Sequence, residues 1–142
     1  MTPQNFKNHT RMVPMFHYVT FTLLLAVLIG SIINLVNSAS GNLYSAALLL
    51  VLTIAVIFTT FFARLFALKA QDRAIRAEEN LRHFALTGKL LDSRLRTSQI
   101  IALRFAPDEE LVALAKRAVD ENLDAKTIKQ AIQNWKGDYH RV

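Results

Sequence analysis

The 142-residue chain contains no cysteine. Disulfide staples, thiolate zinc sites and cysteine nucleophiles are therefore excluded. Glycine and proline are scarce, four and three residues, and none falls between Leu43 and Thr87. A glycine-rich loop to cradle phosphate has no material to be built from. Charge is missing from one defined region: no Asp, Glu, Lys or Arg lies between Arg11 and Arg64. All 11 acidic residues lie from Asp72 onward. Hydrophobic residues make up 52% of the chain and charged ones only 20%, so the first half is apolar and the second carries the charge.

The apolar half holds two uncharged runs, residues 16–36 and 43–63, each 21 residues long. Crossing about 30 Å of hydrocarbon takes roughly 20 apolar residues in a helix. Both runs fit, and the six-residue loop NSASGN between them, 37–42, has turn composition. Spans joined so tightly are antiparallel neighbours. Ser38-Ala39-Ser40 has the small residues of a cleavage site, but the run before it exceeds the roughly 7–15 residues of a signal-peptide core. A transmembrane hairpin is therefore expected.

Lys7 and Arg11 precede the first run, Arg64, Lys69, Arg73 and Arg76 follow the second, and the loop carries no basic residue. The positive-inside rule places both termini in the cytoplasm. Residues 64–104 carry net +5 and residues 105–142 net −1, so the basic half lies next to the membrane. Arg64, Lys69, Arg73 and Arg76 are candidates for contact with lipid head groups.

Beyond Ala63 the sequence RLFALKAQDRAIRAEENLRHFAL consists of strong helix formers. Asp72–Arg76 and Glu78–Arg82 are acid-first i, i+4 pairs. The second helix is therefore expected to continue into the cytoplasm as far as Leu86, as a rod roughly 65 Å long. Ala63, Ala67, Ala70, Ala74, Ala77, Leu81 and Phe84 recur at heptad spacing along it, a seam suited to close helix packing. Thr22, Ala26, Gly30 and Asn34 form a comparable row of small or polar residues in the first span. The seam suits the chain's own C-terminal helices or a larger partner better than a second copy, because alanine at both seam positions is a weak signal for a parallel dimer, and the plain alternative is a solvated face of good helix formers.

Residues 87–142 read as a small domain of short helices. Thr97 is the expected cap of a helix over 97–105, and Asp108, Glu109 and Glu110 occupy the first turn of the next, where the helix dipole favours them. A third helix over 124–138 has Asp124 as cap and Gly137 past its end. Ile128, Ile132 and Trp135 lie at i, i+4 and i+7, one apolar face that would anchor this helix. Two helices with a tight link and a lysine-bearing second member allow a helix-turn-helix reading. The acidic balance of the region argues against it. His9, His17, His83 and His140 share no helical face, and Ser98 has no glycine elbow. No catalytic residue, cofactor or metal is expected.

The segments QNFKNHTRMVPMFHYVT, ARLFALKAQDRAIRAEENLR, SQIIALRFAPDEELVALA and IKQAIQNWKGDYHRV resemble a family of small bacterial membrane proteins known only as a domain of unknown function. The resemblance covers nearly the whole chain and implies a bacterial inner-membrane protein with two spans and a cytoplasmic helical part. It carries over no active site.

The expected architecture is an all-α membrane protein: a cytoplasmic tail over 1–15, a transmembrane hairpin over 16–63, an extension of the second helix over 64–86 and a helical domain over 87–142. The expected role is non-enzymatic, a structural or accessory platform for a protein partner or a second copy, with membrane lipids as neighbours. The alternative is a membrane-tethered nucleic-acid-binding or signalling module, with nucleic acid the less favoured partner.

Overall fold

The computed structural model describes residues 4–10 and 12–139. These residues form five α-helices, and none of them is in a strand. Helix α1 spans Phe21–Val36, α2 Leu43–Thr87, α3 Thr97–Leu103, α4 Asp108–Asp120 and α5 Ala125–Ala131. The chain divides into two compact units, residues 11–66 and residues 1–10 with 67–142.

In the first unit a π-helical segment, Met15–Thr20, runs directly into α1. Together they make a 22-residue apolar helix, Met15–Val36. The side chains most shielded here are small: Ser31 on α1 and Ala46 and Thr53 on α2. Leu24, Leu28 and Leu35 extend the shielded row of α1, and Leu50, Ile57 and Thr60 that of α2. Both rows follow the 3–4 spacing of packed helices. The two buried hydroxyls are satisfied within their own helices, Ser31 Oγ donating to Leu28 O and Thr53 Oγ1 to Leu49 O, each at 2.8 Å. Neither therefore needs water. At the end of α1, Asn37 Nδ2 donates to Ile33 O (2.8 Å) and Ser38 Oγ to Asn34 O (2.6 Å). These side chains occupy carbonyls that a helix terminus leaves open.

Helix α2 is one unbroken element of 45 residues. Its sequence offers no Gly or Pro to end it before Gly88, which takes φ +72°, while the Gly88 N–H closes the last turn on Phe84 O at 2.7 Å. A left-handed residue just past a helix is usually glycine because it has no Cβ to clash.

The second unit has the larger core. Phe105, Ile100, Leu103, Leu111 and Ile128 are fully buried, with Leu91, Leu95, Leu114, Ala118 and Ile132 around them. Helices α3, α4 and α5 pack on one another here. Gln99 is the polar centre: Oε1 accepts the Arg96 N–H (2.7 Å) and Nε2 donates to Leu123 O (2.7 Å). One buried amide thus holds the start of α3 to the end of α4. The cap of α3 is Arg96, and Thr97, expected as the cap, is its first helical residue.

Asp124 caps α5 as its sequence indicates, accepting Thr127 N–H at 2.7 Å. The helix does not reach residue 138. It ends at Ala131, because the next backbone groups have other partners. Glu110 accepts the N–H groups of Gln133 (3.0 Å) and Asn134 (2.9 Å), and Lys136 N–H bonds to Phe105 O (2.8 Å). Trp135 is therefore not on a helix, yet it still meets the core.

Candidate functional site

The charged half of α2 has two contrasting faces. One is covered. Ile75 is 6% exposed, Glu79 is buried, and Leu68, Gln71, Asp72 and Arg82 are half-buried on the same side. Arg82 is the hub of this face. Its guanidinium reaches Glu79 (3.0 Å), Asp108 (2.6 Å) and the carbonyl of Ala106 (2.8 Å). A planar fork with several fixed donors suits such a three-way junction. Asn80 Oδ1 accepts Leu91 N–H at 3.2 Å, which brings the chain after α2 back along it. The sequence pairs Arg82 with Glu78, but the structure gives it Glu79 and Asp108.

The other face is open. Ala67, Ala70, Ala74, Ala77, Leu81 and Phe84 are all exposed, Leu81 at 68% and Phe84 at 49%. At about 100° per residue this row lies roughly 130° around the helix from Ile75. The chain's own C-terminal helices thus use a different side of α2 from the alanine seam. Arg73 is exposed on one edge of the seam, with Lys69 and Arg76 exposed farther round on that side, and Glu78 is exposed on the other edge.

In the first unit Ala63 is exposed as well, and Arg64 holds its guanidinium 5.6 Å from the centre of the Phe16 ring. Thr22, Ala26, Gly30 and Asn34 lie on the exposed side of α1, and a Cβ added at Gly30 would meet nothing within 4 Å. The packed side of α1 is the one carrying Ser31.

The third feature is the N-terminal segment, which the sequence presents as a short polar tail. Residues 4–10 lie on the C-terminal helices. Gln4 makes a reciprocal pair with the Asp138 backbone, Nε2 donating to Asp138 O (3.0 Å) and Oε1 accepting Asp138 N–H (2.9 Å). The Asp138 carboxylate lies 3.2 Å from Nε of the buried Arg104. The His9 ring stands 5.6 Å from both Phe105 and Trp135, whose own rings are 4.9 Å apart. His9 Nδ1 donates to Phe6 O at 2.8 Å, which leaves Nε2 to accept from Lys129 Nζ at 3.0 Å. Of the predicted anchor residues, Ile128 and Ile132 are in the core and Trp135 sits at its edge under His9. The only sequence signal for this docking is an aromatic and a histidine, Phe6 and His9, in an otherwise polar tail.

Three carboxylates have lowered pKa values. Hydrogen bonds from the Arg94 side chain, then from its backbone N–H, hold Asp92 down at about 2. Burial pushes Glu110 up, but the N–H groups of Gln133 and Asn134 and the Asn134 amide outweigh it and hold Glu110 below its ordinary value. The Thr127 backbone N–H and then its side chain lower Asp124. All three shifts belong to caps and turns, which need acceptors, and none is that of a carboxyl kept protonated for acid catalysis. Among the described residues no group of three His, Asp or Glu side chains is placed to hold a metal. An open cleft of about 360 Å³ is bordered by Ala74, Glu78, Arg104 and Tyr139. A second, of about 470 Å³, is bordered by His83, Leu90, Val112 and Lys116. What the arrangement offers is surface: an apolar helix face with oppositely charged edges, beside a well-packed helical domain.

The whole chain, residues 1–142, matches the family described as "Family of unknown function (DUF6526)". The chain belongs to that family. No curated protein and no solved structure matches it significantly.

Proposed function

We propose that this chain is a non-enzymatic accessory or structural protein of a bacterial inner membrane. Met15–Val36 and the first half of α2 cross the bilayer as an antiparallel hairpin. Both termini are cytoplasmic, and the second half of α2 with α3–α5 forms a platform for a protein partner or a second copy. The observation that carries this reading is the exposure of large apolar side chains on both helices. Leu23, Leu25, Ile29, Ile33, Val51, Leu52, Phe58 and Phe61 all stand open. Soluble monomers rarely expose a contiguous apolar surface of this kind, whereas in hydrocarbon it is the favourable arrangement. Small residues at the shielded positions Ser31, Ala46 and Thr53 agree with helices packing inside lipid, where close approach replaces hydrophobic drive.

Orientation is supported by the basic residues. Lys69, Arg73 and Arg76 project from α2 a few residues after the apolar run, within reach of anionic head groups, each worth about 1 kcal/mol near such a surface. The test uses the cysteine-free chain directly. Single cysteines at Ser40 and at Lys89 are labelled with a membrane-impermeant maleimide in intact cells. Label at Ser40 and none at Lys89 until lysis is the expected result, with the protein resistant to carbonate extraction. Label at Lys89 in intact cells, or release by carbonate, overturns the reading.

A further inference from the structure

We propose that the open face of α2 is the contact surface for a second copy of this chain, pairing parallel and in register through Ala67, Ala70, Ala74, Ala77, Leu81 and Phe84. The inference rests on the membrane reading above and narrows its partner to one.

The alanines alone would say little, because alanine suits any solvated helix. Two further observations carry the inference. First, Leu81 and Phe84 continue the same row and stand 68% and 49% exposed, while Ile75 and Glu79 are buried on another side, where Arg82 reaches Ala106 and Asp108. Among the described residues, Ala74 and Glu78 border the cleft with Arg104 and Tyr139, while Ala67, Ala70, Ala77, Leu81 and Phe84 stand exposed outside it. Second, its edges carry opposite charge. With Ala67, Ala74 and Leu81 at heptad positions a and Ala70, Ala77 and Phe84 at d, Arg73 falls at g and Glu78 at e. In a parallel pair the g residue of one helix meets the e residue five positions on in the other. Arg73 then meets Glu78 of the second copy, and the symmetry repeats the contact on the far side. An antiparallel pair would set the g edge carrying Arg73 against the same edge of the second copy, and the e edge carrying Glu78 likewise, so like charge would face like.

Membrane insertion selects the same geometry independently. Two copies inserted with one orientation present their α2 helices pointing the same way. A two-fold axis along the membrane normal then generates a closed, self-complementary contact. Charge pattern and topology agree on the parallel arrangement.

The experiment uses the full-length chain in native membranes, where the absence of cysteine makes single substitutions clean reporters. Ala70→Cys, Ala77→Cys and Leu81→Cys are each oxidised mildly, with Arg76→Cys and Asp72→Cys as positions off the seam. Self-crosslinking at all three seam positions and at neither control is expected. Arg73→Glu is expected to weaken the dimer roughly tenfold, and Glu78→Arg in the same chain to restore it.

Crosslinking at one seam position only would mean an antiparallel contact and overturn the proposal. So would seam crosslinks to a different protein, or no crosslink from a chain that remains in the membrane fraction. In those cases the accessory-protein reading survives. A chain found in the soluble fraction overturns that reading instead, whatever its crosslinks.

Discussion

His9 Nε2 lies 3.0 Å from Lys129 Nζ, and the His9 ring rests against Phe105 and Trp135. A residue near the start of the chain is thereby fixed to a helical domain more than a hundred positions later. The contact combines aromatic packing, worth about 1 kcal/mol per pair, with a hydrogen bond from a cation. His9→Ala is expected to release residues 4–10 while α3–α5 stay folded. Trp135 is the only tryptophan, so its emission reports the change. A red shift together with faster amide exchange over residues 4–10 is the expected result, and an unchanged spectrum would argue that the docking is marginal in solution.

Ile75 and Ala74 are neighbours on α2 with opposite environments. Ile75 is buried against the domain and Ala74 is exposed. Ile75→Ala is expected to lower domain stability by about 2 kcal/mol, from lost burial and a residual cavity. Ala74→Ser should change it by less than about 0.5 kcal/mol, as exposed substitutions do. Chemical denaturation of the purified chain, followed at Trp135, measures both. Equal costs at the two positions would contradict the assignment of faces.

Gln99 supplies the shortest side-chain bonds that join the start of α3 to the segment after α4, 2.7 Å each, beside longer ones from the Arg96 guanidinium to Asn122 Oδ1 (3.4 Å) and Leu123 O (3.5 Å). Gln99→Leu keeps the volume but leaves the Arg96 N–H and Leu123 O without this partner. A loss of about 2–3 kcal/mol is expected, since orphaned buried groups cost more than the bond itself contributed. Gln99→Glu should be no better, because it removes the donor to Leu123 O. A thermal melt of each variant is sufficient.

Acid should weaken the domain in a defined direction. Glu110 and Asp124 are lowered in the folded chain, and Asp92 is lowered to about 2. A carboxylate lowered on folding contributes stability fully above its unfolded pKa, and the contribution is lost as pH falls through the folded value. Stability is therefore expected to hold from neutral pH to about pH 5 and to decline below about pH 4. Glu110→Ala should flatten part of that decline and cost about 1–2 kcal/mol at pH 7, because Gln133 and Asn134 lose their acceptor. Melting temperatures of both chains between pH 3 and 7 test the sign. A variant with an unchanged acid slope would exclude Glu110 from the effect.

Gly88 carries φ +72° at the end of α2. A Cβ there meets nothing within 4 Å, so space is not the constraint. The left-handed backbone is, and it costs an L-residue about 1 kcal/mol or more. Gly88→Ala is expected to lower stability by that amount, and Gly88→Asn by less. Equal losses for both would point to a cause other than backbone conformation.

Much of the helical architecture is legible in the sequence. The gap without Gly or Pro from Leu43 to Thr87 appears in the structure as one helix, Gly88 ends it, and Asp124 caps α5. These features follow from local physics: backbone freedom, capping geometry and periodic apolarity are set by residues within a few positions of one another. The charge-free stretch between Arg11 and Arg64 is likewise a property of the chain alone.

Other features depend on partners far away in the chain. The apolar spacing of Ile128, Ile132 and Trp135 fits a longer helix, yet α5 stops at Ala131 because Glu110 and Phe105 take the following N–H groups. Arg82 has an acid four residues before it, but its bonds go to Glu79 and to Asp108, 26 positions on. The seam from Ala67 to Phe84 is evident as spacing, but spacing does not say which face the domain covers. That was decided where Arg82 reaches Ala106 and Asp108 at the turn before α4. Local sequence thus determined the unbroken run of α2, its end at Gly88 and the start of α5. Tertiary structure alone decided which of their faces remained open, because burial and long-range hydrogen bonds are properties of residues brought together only by the fold.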